Sequence, residues 1–125
     1  MQKKIKVLLI DDSHTILHRM QHLLSEIGCV QSIKTADNAF DGWTLFLSNE
    51  PEIVLLDIHM PKKNGVELLK EIKQHRSNIH VVMITNESME CYKPTCLKYG
   101  ADFYLDKTND FEKITAIIDH IAIYF

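Results

Sequence analysis

The sequence predicts an α/β protein: a doubly wound, five-stranded parallel sheet with helices on both faces. Three observations lead there. Short runs rich in β-branched residues alternate along the chain with segments of helical period, and strict β–α alternation calls for right-handed crossovers between parallel strands. Three of the runs, VLLI, IVLL and VVMI, are continuously apolar, as strands buried on both faces are. Finally, polar residues fall at the ends of the runs: Asp11 and Asp12 after VLLI, Asp57 after IVLL, Thr85 after VVMI and Lys107 after FYLD.

Taken in order, the first strand is expected at Ile5 to Ile10 and the first helix at Ser13 to Ile27, with Leu17, Met20, Leu24 and Ile27 as its core stripe. His14, His18 and His22 recur on the opposite face, which reads as solvated, with His14 and His18 bordering the crevice at the strand ends. Gly28 closes the helix, and a second strand follows at Val30 to Thr35. The second helix spans Asn38 to Leu47, Pro51 separates it from a third strand at Ile53 to Leu56, and the third helix is Gly65 to His75. Gly65 is expected to meet a need for an unusual backbone dihedral after Pro61.

The fourth strand is Ile79 to Ile84. The helix after it should start late, at Lys93 to Tyr99, because Pro94 removes an interior hydrogen bond, and Gly100 should end it as a left-handed stop. A fifth strand at Asp102 to Leu105 leads to the last helix, Phe111 to Ile123. Its apolar positions, Phe111, Ile114, Ile117, Ile118, Ile121, Tyr124 and Phe125, are more than one sheet contact needs, so they either fold onto the core or partly face a partner or second copy. No linker, repeat or low-complexity segment appears. A single domain over 1–125 without an attached output domain is expected.

Composition narrows the function. Lys and Arg number 14 against 17 Asp and Glu, with no basic stripe, so direct nucleic-acid binding is not expected. Cys29, Cys91 and Cys96 match no zinc or redox spacing and suit a reduced, cytosolic setting, with Cys91 and Cys96 read as apolar packing. The apolar run Val7 to Ile10 is too short for a signal peptide, and nothing is long enough to span a membrane.

The chemistry lies at the strand ends. The carboxyl ends of parallel strands emerge on one edge of a sheet, so Asp11, Asp12, Asp57, Thr85 and Lys107 should meet in one crevice. Any one of them alone reads blandly: Asp12 or Ser13 as a helix cap, Lys107 as a solvated loop lysine, Thr85 as a β-branched strand end. Together they outweigh that reading. Three close carboxylates repel, and one takes up a proton unless a cation is present. Mg2+ suits such a site, because it takes one or two carboxylates directly and shares its other positions with water and phosphoryl oxygens.

The blocks LLIDDS at 8–13, VLLDIHMPKKNG at 54–65, MITNES at 83–88 and GADFYLDK at 100–107 occur in the order and spacing of a response-regulator receiver domain, and the chain resembles that family, of the chemotaxis-regulator type, over essentially its whole length. The resemblance implies a flavodoxin-like (βα)5 fold with strand order 2-1-3-4-5. It implies that Asp57 is a phosphoacceptor attacking the phosphohistidine of a partner, that Asp12 and Asp57 hold Mg2+ with the backbone carbonyl of His59 and with Asp11 through water, and that Lys107 and Thr85 contact phosphoryl oxygens. Tyr104 matches the family's switch aromatic, with a half-buried edge aromatic as its plainer reading. His59 and Glu87 match the positions that flank hydrolytic water, where His59 either orients water or is simply exposed.

The chain departs from the pattern at two places. The family usually places Pro after the lysine, through a cis bond that aims the amine, whereas here Thr108 makes a trans bond the default, since a cis non-proline peptide costs about 2.5–4 kcal/mol. Asn86 stands where a small residue is common and could crowd or gate the phosphoryl site.

The expected function is a single-domain response regulator in a two-component phosphorelay, accepting phosphate from a sensor histidine kinase or phosphotransfer protein. It would signal to a downstream target by contact through the fourth helix, fifth strand and fifth helix, with a homodimer through the same face possible. Self-phosphorylation from small donors and autodephosphorylation are expected, without enzymatic turnover of a substrate. Two other readings compete: a pseudo-receiver adaptor indifferent to phosphorylation, and a phosphatase of the haloacid dehalogenase type, which wants a second Asp where this chain has His59.

Overall fold

The computed structural model describes residues 4–86 and 90–124. Five strands, β1 (Ile5–Ile10), β2 (Val30–Ala36), β3 (Ile53–Asp57), β4 (His80–Thr85) and β5 (Phe103–Asp106), alternate with five helices, α1 (His14–Ser25), α2 (Ala39–Asn49), α3 (Gly65–His75), α4 (Lys93–Lys98) and α5 (Lys113–Tyr124). All pairings are parallel, in the order β2-β1-β3-β4-β5. This is the flavodoxin-like arrangement that the family resemblance implies.

Alternate residues of the central strands supply two separate cores, because successive side chains in a strand point to opposite faces. Val7, Leu9, Ile53, Leu55, Val82 and Ile84 pack with Leu17, Met20 and Leu24 of α1 and Ile114, Ile118 and Ile121 of α5. On the other face Leu8, Ile10, Val54, Leu56, Val81 and Met83 pack with Phe46 of α2, Leu68, Leu69 and Ile72 of α3 and Cys96 of α4. β1, β3 and β4 are the buried strands, while β2 and β5 are half-exposed edges.

The strands end later than expected because the residues that follow the apolar runs stay in the ladder. Ile10 pairs with Ala36, Asp57 with Ile84 and Thr85 with Asp106, so β2, β3, β4 and β5 each run one residue further than the apolar runs. α1 stops at Ser25, where the Glu26 and Ile27 N–H groups bond to Leu23 and Leu24 carbonyls, yet Ile27 stays buried. α2 continues to Asn49 and ends on Glu50 in the left-handed region (φ 46°), just before Pro51. α4 is short, beginning at Lys93 with Pro94 in its first turn, and Gly100 follows it with φ 101°, both as expected. α5 begins two residues later than its apolar pattern, at Lys113, after a hydrogen-bonded turn over 107–112.

α2 lies close over β1. A Cβ added at Gly42 would come within 2.7 Å of Ile10 Cδ1, 3.1 Å of its Cγ1 and 3.2 Å of its Cγ2, all side-chain atoms. Gly42→Ala is therefore expected to change stability by less than about 1 kcal/mol, since alanine gains about 1 kcal/mol in helix propensity while Ile10 must shift. Urea unfolding checks this, and a loss above about 2 kcal/mol would mean that Ile10 cannot move.

Candidate functional site

The register sets the site. β1, β3, β4 and β5 run the same way, so Asp11, Asp57, Thr85 and Lys107 emerge at one edge. All four are buried: Asp11 is 1% exposed, Asp57 3%, Thr85 1% and Lys107 6%. Asp12 is exposed at the rim. Ligand oxygens of Asp11, Asp12 and Asp57 lie within 4.8 Å of one another, the one such group of three acid, His or Cys side chains among the described residues.

Ser13, rather than Asp12, caps α1: its hydroxyl accepts the Ile16 N–H, and its own N–H donates to Asp11 Oδ1 at 2.8 Å. The Asp12 carboxylate is thus left to the crevice. Lys107 Nζ lies 2.6 Å from Asp11 Oδ2 and 3.5 Å from Asp57 Oδ1. No described peptide bond is cis, so the amine reaches the carboxylates across a trans bond to Thr108. The Lys107 N–H donates to the Thr85 carbonyl at 2.9 Å, which ties the lysine to the end of β4. Thr85 Oγ1 is buried without a hydrogen-bond partner among the described residues. A buried hydroxyl left so is costly unless something else in the working protein accepts from it.

Burial is the main cause that pushes the Asp57 carboxyl up to about 7; the Asp11 charge adds to it and the Lys107 amine opposes it. One amine against three acids leaves negative charge in a buried pocket. A hard divalent cation fits this all-oxygen donor set and its excess charge, and Mg2+ fits best where a phosphoryl group shares the site.

Gly65 is needed for space, which corrects the expectation of an unusual dihedral. The left-handed residue in this loop is Lys62 (φ 70°). A Cβ at Gly65 would overlap the carbonyl oxygen of Asp57 and lie 2.8 Å from its carbonyl carbon, while the Gly65 N–H donates to the Ile58 carbonyl at 2.8 Å. α3 therefore starts directly against the backbone that carries Asp57.

The remaining expected residues are more dispersed. Tyr104 is half-buried against the second core, and burial pushes its hydroxyl up to about 12. His59 is exposed, with its ring edge-on to Tyr92 at 5.9 Å. Asn86 is exposed beyond Thr85, and Glu87 lies outside the described residues. His14, His18 and His22 are exposed; His14 Nε2 pairs with Asp37 Oδ2 at 2.9 Å and His22 Nε2 with Glu26 Oε1 at 3.4 Å. The hydrogen bonds from His14 first and Asn38 second hold the Asp37 carboxyl below its usual range. On α5, Ile114, Ile117, Ile118 and Ile121 are buried while Ile123 and Tyr124 are exposed.

Sequence reasoning overlooked Asp106 and Asp110. They hold the turn after β5 and are legible only as an Asx-turn pattern in DKTND.

The sequence profile of the response regulator receiver domain matches residues 7–119. The chain belongs to the response-regulator receiver family. The receiver is 30% identical to the chemotaxis protein CheY of Halobacterium salinarum over 94% of this chain and 93% of that protein. It is 36% identical to the uncharacterized transcriptional regulatory protein YcbL of Bacillus subtilis over 87% of this chain, and spans about half, 47%, of that relative. Among solved structures, a CheY-like receiver domain protein from Methanospirillum hungatei superimposes with a TM-score of 0.81 at 25% identity, covering 94% of this chain and 96% of the other. The receiver is thus the receiver domain of a response regulator in two-component signalling. Among the described residues, no helix is long and apolar enough to cross a membrane.

Proposed function

We propose that this receiver is a Mg2+-dependent phosphorylation switch with Asp57 as the phosphoacceptor. The observation that supports it most is the buried Asp57 carboxylate 3.5 Å from the Lys107 amine, at the sheet edge where the Thr85 hydroxyl is buried without a hydrogen-bond partner among the described residues. A carboxylate oxygen of Asp57 attacks the phosphorus of a phosphohistidine on a sensor kinase or phosphotransfer protein. The P–N bond breaks, its electron pair returns to the imidazole, and an acyl phosphate forms on Asp57. Phosphoryl transfer asks the protein mainly for positioning and charge neutralisation. The Lys107 amine, now on Asp11 and near Asp57, pairs with one phosphoryl oxygen, and the Thr85 hydroxyl donates to another. Asp11, Asp12, Asp57 and the His59 carbonyl would hold Mg2+, which when bound neutralises charge on the carboxylates and the phosphoryl oxygens.

The readout follows from the new charge. Phosphorylated Asp57 draws Thr85 inward, and Tyr104, one strand away on β5, fills the space left behind. The face remodelled is α4, β5 and α5, where Leu97, Ile123 and Tyr124 expose apolar surface to a target or a second copy. His59 and Glu87 set the lifetime of the phosphoryl group. The unit is one domain over 1–125, working in the cytosol, with no nucleic-acid contact of its own.

The test is intact mass after incubation with Mg2+ and acetyl phosphate or phosphoramidate. The expected result is one added phosphoryl group on the wild type and none on Asp57→Asn. No gain in protein that binds Mg2+ would favour the adaptor reading, and turnover of phosphate esters would favour a phosphatase.

A further inference from the structure

In the receiver family a proline after the lysine aims its amine; here Thr108 follows and the bond is trans, yet Lys107 Nζ still reaches Asp11 and Asp57. Something else holds the turn. The Asp106 carboxylate lies beneath it: Oδ1 accepts the N–H of Thr108 at 2.7 Å and that of Asn109 at 3.1 Å. The first of these bonds exists only because residue 108 is not proline. Asp110 closes the turn from the other side. Its Oδ2 accepts the Asp106 N–H at 3.0 Å, its own N–H donates to the Asp106 carbonyl at 2.9 Å, and its Oδ1 pairs with Lys113 at the start of α5. Lys107, whose N–H is already bound to the Thr85 carbonyl, stands between these anchors.

We propose that Asp106 is the positioning residue for Lys107: by accepting the Thr108 and Asn109 N–H groups, its carboxylate holds the turn after β5 in the shape that delivers the amine to Asp11 and Asp57. This deepens, and rests on, the reading of Asp57 as phosphoacceptor. Among the described residues no hydrogen bond or ion pair joins Asp106 to Asp11, Asp12 or Asp57. Asp106 acts through the backbone on either side of the lysine, and a displacement of the amine by about 1 Å is enough to cost up to about 100-fold in rate.

The test is the rate of phosphoryl gain by intact mass, with phosphoramidate and saturating Mg2+, for Asp106→Ala and Asp106→Asn in the wild-type and Lys107→Ala backgrounds. Asp106→Ala is expected to slow the wild type by about 10-fold, and Asp106→Asn, which keeps the accepting oxygen, to stay within about threefold. In the Lys107→Ala background Asp106→Ala should change nothing further, a result that a general loss of stability would not produce. Where alanine impairs folding, Asp106→Val suits a strand end and equally lacks the acceptor. Equal rates for wild type and Asp106→Ala, equal losses for Ala and Asn, or an undiminished loss without Lys107 would each overturn the proposal. A wild type that gains no phosphoryl group would overturn the phosphoacceptor reading and this one with it.

Discussion

Gly65→Ala is expected to destabilise the fold by about 3 kcal/mol or more, the upper range for overpacking, and to displace Asp57 with it. The methyl group would meet the Asp57 carbonyl oxygen and approach Ile58 Cα to 3.0 Å, all backbone, so no side chain can swing away. Relief requires moving the start of α3, whose Val66, Leu68 and Leu69 are buried in the second core, or moving β3, buried along its length. Contrast Gly42→Ala, where the obstacle is the Ile10 side chain and no backbone atom. Urea unfolding measures the loss of stability, and intact mass measures the loss of Asp57 phosphorylation. Near-wild-type values in both would show that the α3 start is free to slide.

Asp57→Asn is expected to stabilise the metal-free protein at pH 8 by up to roughly 4 kcal/mol. Burial, then Asp11 and, more weakly, Asp12 raise the carboxyl to about 7 against the partial relief given by Lys107. The folded state therefore keeps a proton that the unfolded chain has lost, and by linkage stability falls as pH rises from about 4 to about 7. Below that window both states are protonated and the cost vanishes. At roughly 1.4 kcal/mol for each tenfold in proton affinity, the full cost above pH 7 is roughly 4 kcal/mol. Asparagine carries no charge and leaves the Lys107 amine paired with Asp11 at 2.6 Å. Urea midpoints of both proteins from pH 4 to pH 8 in chelator should diverge as pH rises to about 7 and hold a constant separation above it. Added Mg2+ should then recover stability in the wild type far more than in the variant. Parallel curves would mean that Asp57 ionises in the fold as it does in water.

Much of this was legible in the sequence. The alternation of apolar runs with helical segments determined the element order, because burial on two faces needs VLLI, IVLL and VVMI, and helices need their stripes. The polar residues that end those runs determined which side chains share an edge, since parallel strands leave them no other place. Gly100 and Pro94 behaved as their backbone chemistry requires.

What only the tertiary structure decided depends on contacts between residues distant in sequence, or on a local choice that several patterns satisfy equally. Whether Asp57 and Thr85 lie in or beyond their strands depended on the ladder partners Ile84 and Asp106. The role of Gly65 depended on how closely α3 approaches the Asp57 carbonyl, a distance that no local preference encodes. The start of α5 depended on the turn that Asp106 and Asp110 close just ahead of it, a set of hydrogen bonds that the apolar pattern from Phe111 onward does not encode. Residue type and period determine what a segment can become; the lengths of its elements and the aim of its side chains are set by the neighbours that close its hydrogen bonds.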